Sequence, residues 1–394
     1  MTHRDGCKSI CQRCPSNRGH ASHRQRFVRT MHFEPVDHVP DEEFGYWDDT
    51  LREWHRQGLP EWVDTNAKAD RFFGFAPRAG APVRHGLIPA FESKVIDEDE
   101  RHRIVQDSAG VLHMVNKDGS SSIPKYLKFP IETRADWEDF KKRLDPDAPE
   151  RRPGDFEQRM QRLVEADVPV GIGFGSLFGW LRNWMGFENI SIACAEQPDL
   201  IHDMVEHLCQ FIIALMKPCL EYPGVKFDFA SGWEDMCFNH GCIISPAMFA
   251  EFLVPRYKRI TDLLHEHGCD VVITDCDGNI NDVVHLWLEG GVNCMFPVEV
   301  AAGTDPIALR ERFGHDILLA GGVNKRELAR DKMAIEREVQ RLVPLVQDGG
   351  FIPHVDHRVP PDVSYENYLY YLDCKRETFG IPKPRPYEER EGGA

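Results

Sequence analysis

The sequence predicts an α/β fold, a single (β/α)8 TIM-type barrel with an early β-hairpin insertion and a flexible N-terminal arm. Three observations predict it. After Asp167, short apolar runs ending in Gly, Asp or Asn alternate with longer amphipathic stretches, giving six strand-then-helix units. Two further strands are available before residue 130, and eight such units close a barrel. No G-x-G-x-x-G follows Val168 to Phe174, so the rival doubly wound sheet lacks its phosphate-binding turn.

In chain order, residues 1–25 read as the flexible arm. Cys7, Cys11 and Cys14 there form C-x3-C-x2-C, the spacing that holds an iron–sulfur cluster in radical enzymes. A cluster of that kind sits on a loop after a buried strand, whereas these cysteines lie near the chain start among Lys8, Arg13 and Arg18. The barrel spans 26–380. It opens with a short helix to Met31 and the stretch Val36 to Phe44. The hairpin insertion covers about 93–128, where Arg103–Val105 and Val111–Val115 flank an Asp-Ser-Ala-Gly turn. Charged helices follow over 133–165, broken around Pro146, Pro149 and Pro153. Six strands come next: Val168–Phe174, Val225–Ala230, Val271–Thr274, Val292–Phe296, Ile317–Ala320 and Phe351–Val355. The helices between them are Pro198–Leu220, Pro246–His267, Ile280–Glu289, Pro306–Phe313 and Met333–Val346. A closing helix, Tyr365–Phe379, precedes a tail at 381–394.

Composition narrows the function. With 47 Lys and Arg against 64 Asp and Glu the net charge is −17, so the chain lacks the overall attraction that nucleic-acid and anionic-membrane binders use. No apolar run approaches the ~20 residues of a membrane span, and the first 30 residues have no signal-peptide pattern. The expected location is the cytoplasm, where the 12 scattered cysteines stay reduced.

A barrel carries its chemistry on the loops at the carboxyl ends of its strands. Those loops read Gly173–Ser176, Ser231–Asp235, Asp275–Asn279, Pro297–Glu299, Gly321–Asn324 and His354–His357. Asp275, Asp277, Glu299 and His357 supply the oxygen and imidazole donors of a divalent-metal site, and Glu234 and Asp235 stand beside them as further catalytic candidates. Asp277 or Asn279 is alternatively a helix cap. Candidate substrate contacts are Glu43, Tyr46, Ser176, Arg182, Asn279, Gly322 and Asn324, with Lys325 and Arg326 opposite Arg182. The Phe174, Phe178, Trp180 and Trp184 series is helical core or a pocket wall, and His240-Gly241-Cys242 reads as loop packing.

From about Arg26 to Phe379 the sequence resembles the uroporphyrinogen decarboxylase superfamily, which includes cobalamin-dependent methyltransferases. The resemblance lies in Ile244–Pro246 through Phe252–Tyr257, Asp275–Asn279, Gly321–Asn324, and Val359–Pro361 leading to Glu366-Asn367. It implies a single barrel with a deep cleft. In true decarboxylases an early Arg-rich loop holds the porphyrinogen, but here Pro40–Trp47 is acidic and aromatic, which argues against a polycarboxylate substrate. Zinc methyltransferases of the superfamily carry a His-x-Cys pair where Asp275-Cys276-Asp277 stands, and a later Cys near His357. Asp275, Asp277 and His357 replace those ligands with harder ones. The resemblance thus implies a metal-assisted methyltransferase, with zinc as the expected ion. Its methyl donor is a small O-methyl compound or similar, and the acceptor is cobalamin, free or on a separate corrinoid protein. A metal-free decarboxylase or lyase acting on another acid is the alternative, and a non-catalytic ligand-binding barrel is a third. Homodimers are frequent in the superfamily.

Overall fold

Strands buried on both faces come from runs with no polar alternation, and the computed structural model places such runs at the centre of the molecule. It describes residues 21–118 and 124–391. The cysteine triplet Cys7, Cys11 and Cys14 lies outside the described residues. In chain order the strands are β1 (Ala79–Gly80), β2 (Lys94–Glu98), β3 (His102–Gln106), β4 (Leu112–Asn116), β5 (Lys125–Lys128), β6 (Val170–Gly175) and β7 (Phe229–Trp233). They continue with β8 (Cys237–Phe238), β9 (Gly241–Cys242), β10 (Val272–Asp275), β11 (Cys294–Phe296), β12 (Leu318–Val323) and β13 (Phe351–Val355). Seven of them form one parallel sheet in the order β1-β6-β7-β10-β11-β12-β13, with helices as crossovers. β12 and β13 are buried at every position.

The expected eighth strand is not formed among the described residues. The sheet is a curled half-barrel compatible with a TIM-like fold. Between its two edges lies the extended segment Val39–Tyr46, which is anchored mainly by side chains. Val355 N–H donates to Glu43 Oε2 (3.1 Å) on one side, and Ala76 N–H donates to the Asp41 carbonyl (2.8 Å) on the other. Its one bridge to the chain beyond β13 is Tyr46 with Val359. Pro40 removes a ladder donor at the start of the segment, one reason that no regular ladder grows there.

The helix His23–Met31 starts three residues before the expected Arg26, because Ser22 and Gln25 form a capping box. Its Phe27 and Met31 pack with Phe229, Ile273, Leu318, Ala320 and Ile352. Arg24 ties it to Asp228 (3.0 Å). The same Asp228 accepts from Val170 N–H (2.8 Å), which holds the chain ahead of β7. For that reason β7 begins at Phe229 rather than at the expected Val225.

Prolines account for two broken helices. The expected helix Pro246–His267 divides into Pro246–Phe252 and Val254–Glu266 at Pro255, and Met333–Val346 divides at Leu342 ahead of Pro344. The helices Pro198–Leu220, Pro306–Phe313 and Tyr365–Phe379 match expectation. The hairpin insertion is a four-stranded antiparallel sheet, β2-β3-β4-β5. No described helix is long and apolar enough to cross a membrane.

Candidate active site

Three aspartates meet at the carboxyl ends of β7 and β10. In an extended chain residues two apart share a face, so Asp275 and Asp277 turn the same way while Cys276 is buried behind them. Asp235, held at φ +41° just after β7, completes the group. One carboxylate oxygen from each of Asp235, Asp275 and Asp277 lies within 4.8 Å of the others. The Oδ1 atoms of Asp275 and Asp277 are buried and have no hydrogen-bond partner. A buried acceptor with no donor is costly unless a cation or a proton meets it.

The electrostatics follow from that crowding. Burial pushes the Asp275 carboxyl up to about 8, the charges of Asp235 and Asp277 add to the rise, and Arg358 opposes it. Burial and Asp277 also raise Asp235, against Arg182. The Arg182 guanidinium donates to the Asp235 carbonyl (2.5 Å), which fixes that turn. His357 Nε2 is 3.1 Å from Asp277 Oδ2. Burial pulls the His357 pKa down, but the hydrogen bond and charge of Asp277 outweigh it and the net shift is upward.

The remaining expected site residues are engaged elsewhere. Glu234 is fully buried and caps the helix Phe178–Met185. Its oxygens accept from Ser176 Oγ (2.9 Å), from the amides of Leu177 (2.9 Å), Phe178 (2.7 Å) and Gly179 (2.8 Å), and from the Tyr257 hydroxyl. It therefore holds the loop on which Asp235 sits. Glu234→Gln keeps the shape but turns an amide N–H toward backbone donors. The expected loss is about 2 kcal/mol, read by denaturant unfolding. Glu299 pairs with Lys325 and accepts from Gly278 N–H (2.8 Å), which ties it to the triad's loop without joining the triad. Asn324 caps Lys325–Leu328. Asn279 Oδ1 accepts from Asn281. Gly322 has φ +73°, and a Cβ there would meet Pro306 at 2.7 Å. Tyr46 has no exposed surface and its hydroxyl bonds Tyr368 (2.6 Å).

The early acidic loop needs a correction. Asp41 pairs with Lys375 and Arg376, Glu42 with Arg78, and Glu43 with Lys375, so these acids are neutralised where they stand. They do not make the cleft negative, and they give no argument against an anionic substrate. In the aspartate triad Arg182 lies 3.7 Å from Asp235 and His357 3.1 Å from Asp277, and among the described residues Asp275 has no ion-pair partner.

A cavity of about 810 Å3 runs from Asp275 into the sheet interior, lined among others by Trp233, Phe296, Phe229, Ile352 and His354. Burial lowers the His354 pKa to about 4, so its imidazole is neutral there. Sequence reasoning missed Arg358, whose guanidinium lies 5.5 Å from the Trp47 ring centroid, and Trp47 itself, stacked on His357 at 5.4 Å. Arg358 had a signal, its place directly after His357. It also missed Asp70, which lines the cavity with a pKa raised by burial, Glu43 and Glu42 to about 6. Nothing in the helix Asn66–Phe73 marks that residue.

The family model for uroporphyrinogen decarboxylase (URO-D) matches residues 112–378. The chain belongs to this family. Similar uroporphyrinogen decarboxylases include one from Campylobacter lari, 24% identical over 186 residues, which are 46% of this chain and 50% of that one. The chain thus matches about half the length of that relative. One from Xanthomonas axonopodis pv. citri is 22% identical over 373 residues, 87% of this chain and 95% of that one. Among solved structures, a methyltransferase from Methanosarcina mazei has a similar fold, with TM-score 0.57, 15% identity, and coverage of 91% of this chain and 99% of that one. At 15% identity the likeness to that methyltransferase is one of fold alone.

Proposed function

We propose that this URO-D family member moves a methyl group between a small O-methyl or similar donor and a cobalamin carrier, with a divalent metal held by Asp235, Asp275 and Asp277. The observation that carries the reading is the pair of buried, partnerless Oδ1 atoms on two of three converging carboxylates. The donor set is hard, and it fits a divalent ion with oxygen ligands, zinc included. When bound, such an ion supplies positive charge against the donor's oxygen, so that the methyl group leaves more readily. The carrier, free or on a separate corrinoid protein, supplies the methyl acceptor.

The chain's own residues do the rest. His357 orients Asp277 through its Nε2 contact, as outer-shell partners of metal ligands do. Arg182 fixes the Asp235 turn. The cavity walls of Phe229, Phe296 and Ile352 bind the apolar part of the donor and exclude water beneath the carboxylates. Fold likeness to a methyltransferase supports this reading, as does the exchange of a His-x-Cys pair for Asp275 and Asp277 that the family resemblance implies.

The test is incubation of the purified, metal-supplemented protein with methoxylated donors and reduced corrinoid, free and protein-bound, followed by the corrinoid absorbance. Methylation of the corrinoid supports the reading. A protein that binds no divalent metal and demethylates no donor overturns it. His357→Ala is expected to weaken metal affinity about 10- to 100-fold, measured by titration with a divalent ion.

One observation favours a second reading, a metal-free decarboxylase acting on another carboxylic acid. With its pKa near 8, Asp275 is largely protonated at neutral pH and can hand a proton to the carbon that loses CO2. Elemental analysis of the native protein separates the two.

A further inference from the structure

Behind the aspartates lies a group of thiols that the proposed reaction does not use. β8 and β9 form a two-residue-turn hairpin, with Cys237 opposite Cys242 and Phe238 opposite Gly241. The amide of Ile243 donates to the carbonyl of Met236 (2.8 Å), so the neighbouring Met236 and Ile243 are a hydrogen-bonded pair. Pairs alternate along an antiparallel ladder, so Cys237 and Cys242 are a non-hydrogen-bonded pair, for which Cα atoms lie ~4.5 Å apart. That falls within the range of about 4.4–6.8 Å that a disulfide spans. The Cys237 thiol is near enough to those of Cys242 and Cys276 to interact with both. Cys237 and Cys276 are buried and Cys242 is half-buried, so of the three Cys242 is the residue that solvent reaches. Among the described residues no cysteine is in a disulfide.

We propose that Cys237 and Cys242 are a modification site, a reversible dithiol–disulfide pair that exchanges with small disulfides. The Cys242 sulfur attacks a disulfide RSSR, forming a mixed disulfide and releasing one RSH. The Cys237 sulfur then attacks Cys242 Sγ, forming the Cys237–Cys242 bond and releasing the second RSH. The two cysteines lose two electrons and two protons, both of which end on the two small thiols. Cys276 sits between Asp275 and Asp277, and Cys237 is two residues beyond Asp235. Oxidation therefore ties the Cys237 sulfur, two residues along the chain from Asp235 of the carboxylate triad, to Cys242.

The experiment uses the full chain, reduced and desalted, then incubated with oxidised glutathione, alkylated and mapped by mass after trypsin. Peptide 227–256 holds both cysteines, whereas Cys276 falls in 260–310. The expected result is peptide 227–256 two hydrogens lighter, alkylated at neither position, restored by dithiothreitol, and retained in Cys276→Ala. In Cys242→Ser the lighter peptide disappears, with circular dichroism confirming that the variant folds. Should that variant not fold, the map of the unaltered chain decides alone. The proposal is overturned by full alkylation of both cysteines, by a lasting glutathione adduct on Cys242, or by a cross-link between 227–256 and 260–310.

Discussion

Asp275→Asn is expected to remove metal-linked stabilisation and to lower activity at least ~100-fold, while making the metal-free protein more stable above neutral pH. The reason is the crowding of three carboxylates around one point. An unfolded chain releases the Asp275 proton near 3.8, and the folded chain holds it to about 8. Between those values the native state binds the extra proton, so the stability of the metal-free protein falls as pH rises from about 4 toward 8 and is level beyond it. The burden is on the order of a few kcal/mol, since each tenfold change in proton affinity is worth ~1.4 kcal/mol. Asn carries no charge, and its amide can donate to the Asp235 or Asp277 carboxylates, so that slope flattens. A divalent ion binding the deprotonated form offsets the same burden and raises the melting temperature of the unaltered protein most at the alkaline end. Thermal scans of both proteins from pH 5 to 9, with chelator and with a divalent ion, check this. Equal pH slopes in the two metal-free proteins would remove Asp275 as the centre of the site.

Lys375→Met is expected to cost about 3–5 kcal/mol, the largest stability effect at any single side chain discussed. Lys375 is fully buried, and its Nζ donates to Glu43 Oε1 (2.7 Å) and the Glu42 carbonyl (3.0 Å) and pairs with Asp41 (3.0 Å). Without it, Glu43 keeps its contacts to the Tyr371 hydroxyl (2.8 Å) and the Val355 amide but has no counter-charge. Burial already pushes the Glu43 pKa up against the pull of Lys375. In the variant this rise loses its largest opposition, so stability falls further as pH increases from the ordinary carboxylate range toward the raised value. Adding Glu43→Gln to Lys375→Met is expected to restore most of the loss, because the stranded charge is what costs. Urea unfolding of the single and double variants measures it. A double variant no better than the single one would show that lost packing, not charge, sets the penalty.

These two sites differ in how far the chain announces them. Asp275 and Asp277 stand two apart at the end of an apolar run, and strand periodicity alone puts them on one face of a barrel mouth. The same logic marks Phe351–Val355 and the helix after it. Lys375 carries no such signal. It is one basic residue in a charged helix, and its partners lie 332 and 334 positions earlier. Glu234 and Asp235 are both site carboxylates by sequence, yet one caps a buried helix and the other joins the triad. Two adjacent residues with the same chemistry are separated only by the direction in which the backbone turns.

The strand-then-helix order and the standing of Asp275 and Asp277 at the carboxyl end of a strand are legible in the chain alone, because each depends on local periodicity. The tertiary structure decided that seven strands pair instead of eight, that the early acids are neutralised by Lys375, Arg376 and Arg78, and that Asp235 joins Asp275 and Asp277. It also set Cys237 across from Cys242. Charge pairing and burial depend on which distant segments meet, and no periodicity along the chain encodes that.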